Sequence, residues 1–260
     1  MTVRSVRRLV PLAAAAALLL SACSGSATPA PSAAAPSAAA SAAPAAASAA
    51  PAASAAAPAA PASPGTGAVA SPATSASGCP TSAPPPMAAP DTATVTLSTA
   101  KGDIVIKVTG SLAPNATGDF VALAACGYYN GVVFHRLVPG FVIQGGDGQF
   151  GRVPNVDASQ VGFGGPGYTI TDDPVMTPYQ RGTVAMARTS QPNSEGSQFF
   201  IVLDDGAASA LASVNTYAIV GQVTSGMDVV DAIAAMPNSG PPSNSALDPL
   251  PITNASVSRP

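Results

Sequence analysis

A long N-terminal segment built almost entirely from alanine, proline and serine limits folding to the rest of the chain. It runs over residues 24–90 and contains no aromatic residue. Such a segment cannot bury enough apolar surface to offset the entropy of ordering it, and its recurring prolines interrupt any long helix. We therefore predict a disordered, partly extended linker over residues 23–90 and one packed domain over residues 91–260.

The first 22 residues have the pattern of a secretion signal. Three arginines among the first eight residues precede an apolar stretch, Leu9–Leu20. This stretch is shorter than a typical membrane-spanning helix. The sequence Leu20-Ser21-Ala22-Cys23 resembles the bacterial lipobox, in which the cysteine becomes the lipidated first residue. We therefore expect residues 1–22 to be removed and Cys23 to carry acyl chains such as palmitate. The alternative is an ordinary cleavable signal with an incidental cysteine.

Charge and cysteine usage narrow the possible partners. The net charge is −3, and lysine occurs at only two positions, so we expect no nucleic-acid binding. If Cys23 is lipidated, Cys79 and Cys126 remain, and an even pair in an exported protein can form a disulfide. A buried thiol at Cys126 with a free thiol at Cys79 stays open, because the sequence does not fix the distance between them.

The domain contains eight strand candidates and two helix candidates. Short runs with alternating or continuous apolar residues predict strands, and the helices are predicted from Pro114 to a stop at Gly127 and over Met227–Ala235. This count predicts a mainly β fold, a closed eight-stranded antiparallel barrel with two helices over its ends. The strand candidates are Thr94–Leu97, Asp103–Lys107, Val133–Leu137, Phe141–Gly145, Gly182–Ala187, Gln198–Val202, Tyr217–Val223 and Ile252–Val257.

Arg136 and Gln144 stand in two apolar strand candidates joined by Pro139-Gly140. The Pro-Gly pair predicts a turn, so the two strands are expected to be neighbours with Arg136 and Gln144 on the same surface. A charged residue inside an apolar strand pair is costly unless it faces a groove. We therefore predict a functional site at this strand pair.

The residues around this site do not provide the catalytic groups for hydrolysis, the ligands for a metal or the motif context for nucleotide binding. His135, the single histidine, has no G-x-S-x-G partner and no cluster of further zinc ligands, so we expect a core or structural role for it. The run Gly162–Gly167 matches G-x-G-x-x-G, but an extended stretch and not a helix follows it. We interpret these glycines as a tight loop beside the groove.

The remaining candidates are Arg136, Gln144, Phe141 and the strand Gln198-Phe199-Phe200. Together they predict an apolar pocket with a fixed cation and amide groups, which suits a reaction limited by a bond rotation. Rotation of an X-Pro amide breaks no bond, and its barrier of about 18–20 kcal/mol reflects lost resonance. The twisted prolyl nitrogen regains its lone pair, and a guanidinium aimed at it binds the twisted state better than either planar state. Arg136 is the candidate for this role.

The stretch Phe134–Asp147 is similar to the signature of cyclophilins, the cyclosporin-binding type of peptidyl-prolyl cis-trans isomerase. A second block, Gly182–Ile201, and a weaker third block, Tyr217–Val230, also resemble the family, and the likeness covers residues 92–258. The resemblance implies an eight-stranded barrel with two capping helices and no cofactor. It also implies binding of unfolded or flexible proline-containing polypeptides.

The resemblance also implies roles for individual residues. Arg136 matches the catalytic arginine, and Gln144 matches the glutamine that orients the arginine and the substrate. Ala187 and Arg188 fall where backbone groups bind the peptide, and Tyr217 occupies a position often held by histidine. The remaining groove residues by position are Phe141, Val142 and Phe200 as pocket walls, Gln198 along the groove, and Leu211 or Val214 as the last wall.

The sequence therefore predicts an exported, lipid-anchored isomerase that assists folding at the bacterial cell envelope. We expect it to act as a monomer. The alternative is a module that binds proline peptides without turnover, although such a module does not need the Arg136 cation. The loop Gly148–Val161 is longer than in compact cyclophilins, and loops of this kind tune the choice of partner.

Overall fold

A computed structural model of the chain describes residues 78–260. The predicted signal peptide, Cys23 and the linker up to residue 77 lie outside the described residues. Within residues 78–260, no helix combines the length and the apolar character needed to cross a membrane.

Eight antiparallel strands close into a barrel, which confirms the predicted fold class. Around the ring the strands follow the order β1-β2-β7-β5-β6-β4-β3-β8. Closure leaves no free sheet edge, and the inward side chains fill the barrel core. The strands are β1 (Thr92–Thr99), β2 (Gly102–Thr109), β3 (Val133–Val138), β4 (Val142–Gly145), β5 (Thr183–Met186), β6 (Phe199–Val202), β7 (Ile219–Ser225) and β8 (Ser245–Ser258).

The structure has three helices where the sequence predicted two. The predicted pair are α1 (Pro114–Ala125) and α3 (Met227–Ala234), and the additional helix is α2 (Asp205–Val214). The Asp204 side chain caps α2 by accepting a 2.7 Å hydrogen bond from the Ala207 N–H. The buried face of α2 consists of two alanines and Leu211, so its apolar pattern is too weak to predict a helix.

Residues 79–90, which we call the strap, lie on the domain although their composition assigned them to the linker. Cys79 and Cys126 form a disulfide. Of the two alternatives that the sequence left open, a disulfide or two separate thiols, the structure has the disulfide. Met87 is 8% exposed in the core, and its N–H donates to the Pro114 carbonyl at 2.9 Å. The strap therefore joins both ends of α1.

Asp119 and Glu195 are fully buried carboxyl groups that lie outside the predicted site. Burial raises the pKa of Glu195 to about 8 and that of Asp119 to about 7. The Glu195 Oε1 accepts a hydrogen bond from the Ala218 N–H at 3.2 Å. Asp119 accepts one from the Tyr168 hydroxyl at 2.7 Å. Both carboxyls hold their protons more tightly in the folded chain than in the unfolded chain.

We expect the domain to lose stability as the pH rises from about 5 to about 8. A carboxyl with a raised folded pKa stabilises fully below its unfolded pKa, and that contribution is lost as the pH rises through the folded value. Each group contributes up to about 1.4 kcal/mol per pH unit. Melting temperatures should therefore fall with pH by roughly 2–4 °C for each kcal/mol.

Glu195→Gln should make the fall of melting temperature with pH less steep. The amide keeps an acceptor for the Ala218 N–H and does not titrate. The exposed Asp248 provides the matched control, and Asp248→Asn should leave the wild-type slope unchanged. A Glu195→Gln slope equal to that of the wild type would contradict the assignment of the raised pKa to Glu195.

Candidate active site

The strand register places the predicted site residues in one row on the outside of the barrel. Arg136 on β3 pairs with Gln144 on β4, and Gln144 pairs with Phe200 on β6. Phe200 in turn pairs with Ala185 on β5. Directly paired residues project to the same face of a sheet, so the cation, the amide and the aromatic ring lie side by side.

Three polar side chains form a hydrogen-bonded series along this row. The Arg136 Nη1 donates to the Gln144 Oε1 at 3.4 Å, and the Gln144 Nε2 donates to the Gln198 Oε1 at 3.0 Å. The Gln198 Nε2 then donates to the carbonyls of Gly162 and Gly164 at 2.9 and 2.8 Å. Arg136 is therefore oriented by a series that ends on the glycine loop.

The glycine loop is held in place by Asp147, a residue that the sequence had placed only at the end of a motif. The Asp147 side chain is fully buried. Its Oδ2 accepts from the N–H groups of Gly162 and Gly164 at 2.8 and 3.0 Å. Its Oδ1 accepts from Gln149 and Phe150 at 3.0 and 2.9 Å. One carboxylate thus fixes both ends of the long loop beside the site.

An outer apolar cluster lies on the same side of the barrel wall, separate from the barrel core. Along β6, Phe199 belongs to the core and Phe200 faces outward, as the alternation of a strand requires. The Phe200 ring meets Tyr217 edge to face, with centroids 5.3 Å apart. The predicted residues in the cluster are Phe141, Val142, Ala187, Phe200, Leu211 and Tyr217.

We call the surface between this outer apolar cluster and the Arg136–Gln144–Gln198 series the groove. Of the two candidates for its last wall, Leu211 is buried in the cluster and Val214 is 55% exposed at the end of α2. Tyr179, which the sequence did not single out, also belongs to the cluster. Its hydroxyl donates to the Tyr217 carbonyl at 2.9 Å and accepts from the Tyr217 N–H at 3.1 Å.

The sequence predicted that backbone groups of Ala187 and Arg188 bind the peptide. In the structure, the two N–H groups differ in whether they are free to do so. The Ala187 N–H already donates to the Gln198 carbonyl at 2.8 Å. Within residues 78–260, the Arg188 N–H makes no hydrogen bond and remains available to a peptide. The Arg188 side chain pairs with Asp172, in the segment before β5, at 2.9 Å and donates to the Gln191 carbonyl of its own loop at 2.8 Å.

β3 carries two titratable side chains, Arg136 and His135, and burial affects the charge of each differently. Burial lowers the pKa of the Arg136 guanidinium, and the nearby Tyr217 acts in the opposite direction; arginine nevertheless stays protonated in proteins. Burial lowers the pKa of His135 to about 4, so its ring is neutral at physiological pH. The fold therefore sets Arg136 apart as the cation that borders an apolar surface.

The chain forms a closed barrel whose outer wall carries an apolar pocket with an arginine at its edge. This combination of fold and site is that of a class of isomerases. The sequence model described as "Cyclophilin type peptidyl-prolyl cis-trans isomerase/CLD" matches residues 94–257. The chain belongs to the cyclophilin-type peptidyl-prolyl cis-trans isomerase family, which confirms the resemblance seen in the sequence.

Bacterial relatives and solved structures carry the same description. A probable peptidyl-prolyl cis-trans isomerase of Brucella abortus is 44% identical over 143 residues, covering 54% of this chain and 70% of the relative. Peptidyl-prolyl cis-trans isomerase A of Dickeya dadantii is 35% identical over 176 residues, covering 66% and 88%. A cyclophilin type isomerase of Cryptosporidium parvum has a TM-score of 0.54 at 28% identity, covering 64% and 98%.

Proposed function

We propose that this isomerase accelerates X-Pro rotation in unfolded or flexible proteins outside the cytoplasm, with Arg136 as the catalytic residue. The observation that supports the catalytic role is the row Arg136–Gln144–Phe200 across three neighbouring strands. It sets a partly buried cation beside an aromatic wall. The chain works as a monomer and assists folding.

The proline ring of the substrate sits against the outer apolar cluster, with Phe141, Phe200 and Leu211 around it. A related Cryptosporidium parvum isomerase, 29% identical, was solved in the presence of the dipeptide Ala-Pro. We transfer that ligand class to this groove. The free Arg188 N–H holds the peptide backbone, which leaves the prolyl nitrogen facing the cation.

Arg136 acts by binding the twisted amide more tightly than the planar one. Twisting removes the resonance of the X-Pro bond and concentrates a lone pair on the prolyl nitrogen. The guanidinium donates a charge-assisted hydrogen bond to that lone pair in a groove partly shielded from water. Because this bond forms only in the twisted state, it lowers the barrier and not the energy of the bound peptide.

The isomerase acts at the outer face of the bacterial cytoplasmic membrane, held by lipid on Cys23. Two features support this location. The sequence Leu20-Ser21-Ala22-Cys23 matches a lipobox, and the Cys79–Cys126 disulfide is a bond that persists in oxidising compartments. With coil dimensions, the roughly 55 residues between Cys23 and Cys79 reach around 41 Å from the anchor.

Cys23→Ser should release the chain from membranes of a bacterial host into the soluble fraction. The change removes the thiol that would receive the acyl chains, each CH₂ of which contributes about 0.8 kcal/mol to membrane binding. Fractionation followed by immunoblotting measures the shift. The matched control Ser26→Ala should stay with the membranes. Membrane association of Cys23→Ser equal to that of the control would refute the lipid anchor.

A further inference from the structure

The segment before the strap repeats the dipeptide that we assign to the groove. Residues 24–77 contain six Ala-Pro bonds and no charged residue. The six prolines are Pro31, Pro36, Pro44, Pro51, Pro58 and Pro61. Alanine before proline places only a methyl group next to the pocket, and the absence of charge means that nothing in the segment repels the Arg136 cation.

The strap fixes where this segment leaves the domain. Cys79 is bonded to Cys126, directly after α1, and Pro84 is buried against the domain. Pro84 is therefore held against the domain, whereas Ala83 before it is exposed. The six Ala-Pro bonds all precede this attachment point, and they share one covalently fixed origin on the domain.

The segment is long enough to reach the groove from that origin. Pro61 lies 18 residues before Cys79, and Pro31 lies 48 residues before it. With the coil dimensions that the composition predicts, these separations span about 23 and 38 Å. A domain of this size has a radius of gyration of about 16 Å, so the expected spans match distances across its surface.

We propose that the Ala-Pro bonds of residues 30–61 are an intramolecular substrate of the groove. The inference rests on the proposed function, because it assigns a partner to that same site. Attachment through a chain of this length gives an effective concentration on the order of mM. The segment therefore competes with every external peptide, and the isomerase keeps its own linker equilibrated between cis and trans.

Exchange spectroscopy on the full-length chain carrying Cys23→Ser tests this proposal directly. Selective ¹³C labelling of proline separates the cis and trans signals of the Ala-Pro bonds. Uncatalysed exchange takes about 10–100 s, and we expect the linker prolines to exchange at least tenfold faster. The same chain with Arg136→Ala should show only the uncatalysed rate. Tenfold dilution should leave the fast rate unchanged, because the substrate is on the same chain.

A competition measurement adds a matched pair of variants. Replacing the six Ala-Pro prolines by serine should lower the KM for an added Ala-Pro peptide and leave its kcat unchanged. A linker present at its own dissociation constant doubles that KM. The control variant replaces Pro29, Pro64 and Pro72, which follow threonine or serine. Its change in KM for each proline removed should be smaller than that of the six-proline variant. An unchanged KM in the six-proline variant would overturn the proposal.

A free Ala-Pro peptide separates failure of this inference from failure of the proposed function. Slow exchange in the linker of an active enzyme, which still isomerises the free peptide, overturns the intramolecular substrate and leaves the proposed function intact. A linker rate that rises with protein concentration also overturns it, because the substrate then belongs to a second copy. If the free peptide is not accelerated either, both proposals fall together.

Discussion

Arg136→Ala should reduce isomerisation of a short Ala-Pro peptide by roughly 10- to 150-fold. A hydrogen bond to a charged group contributes about 1.5–3 kcal/mol, and each 1.36 kcal/mol is a factor of ten in rate. Arg136 supplies the cation beside Phe200, and within residues 78–260 its side-chain partner is the Gln144 amide. The measurement is cis–trans exchange of the peptide at several peptide concentrations.

The loss should appear in kcat and leave KM nearly unchanged. An interaction made only in the transition state lowers kcat and kcat/KM together, whereas loss of ordinary binding raises KM. Arg136→Lys should recover part of the rate, because it keeps a point charge but loses the planar guanidinium geometry. The exposed Arg259 offers a matched control, and Arg259→Ala should retain wild-type kinetics.

Two other outcomes would contradict this mechanism. Equal rates for wild type and Arg136→Ala would remove Arg136 from catalysis while leaving the isomerase activity to be explained by the pocket. Peptide binding without acceleration in either protein is the behaviour of a proline-binding module that does not turn over. Titration of the same peptide, monitored separately from exchange, distinguishes these two results.

The sequence was sufficient to predict the barrel and the centre of the groove. Strand alternation and the Pro139-Gly140 turn place Arg136 opposite Gln144, and the structure has this pairing. These predictions succeed because they depend on local chemistry, namely a period of two and a tight turn. The resemblance supplied Leu211, which lies on α2 and joins Phe200 of β6 only in three dimensions.

Features that depend on contacts between distant segments were not predictable from local patterns. The helix α2 is specified by the Asp204 cap and by packing of two alanines, neither of which gives a clear apolar period. Tyr179 reaches the groove through hydrogen bonds with the Tyr217 backbone, 38 residues away in sequence. The strap has the composition of a linker, and it is attached to the domain by contacts such as its disulfide and the buried Met87.

Asp147→Ala should have the largest effect on stability among substitutions close to the groove, about 3–5 kcal/mol of unfolding free energy. The substitution leaves four backbone N–H groups without their acceptor. Unsatisfied buried donors cost about 1–3 kcal/mol each, and loop relaxation recovers part of that cost. Urea unfolding followed by circular dichroism measures the change as a lower midpoint with a similar slope.

Asp157 provides the matched control, because it is an aspartate in the same long loop with an exposed side chain. Its carboxylate accepts hydrogen bonds from the N–H and hydroxyl of the exposed Ser159, at 2.9 and 2.7 Å. Asp157→Ala should leave the urea midpoint unchanged. An equal shift for the two aspartate variants would contradict a special role for Asp147, because it would assign the effect to the loop as a whole.

Asp147→Ala should also slow catalysis at a temperature where the variant stays folded. The N–H groups of Gly162 and Gly164 donate to the Asp147 carboxylate, and their carbonyls accept from the Gln198 side chain. Gln198 positions Gln144, and Gln144 positions Arg136. Release of the loop therefore loosens Arg136 three hydrogen bonds away, and we expect a severalfold lower kcat. Unchanged kcat in the folded variant would show that Arg136 keeps its orientation without this series.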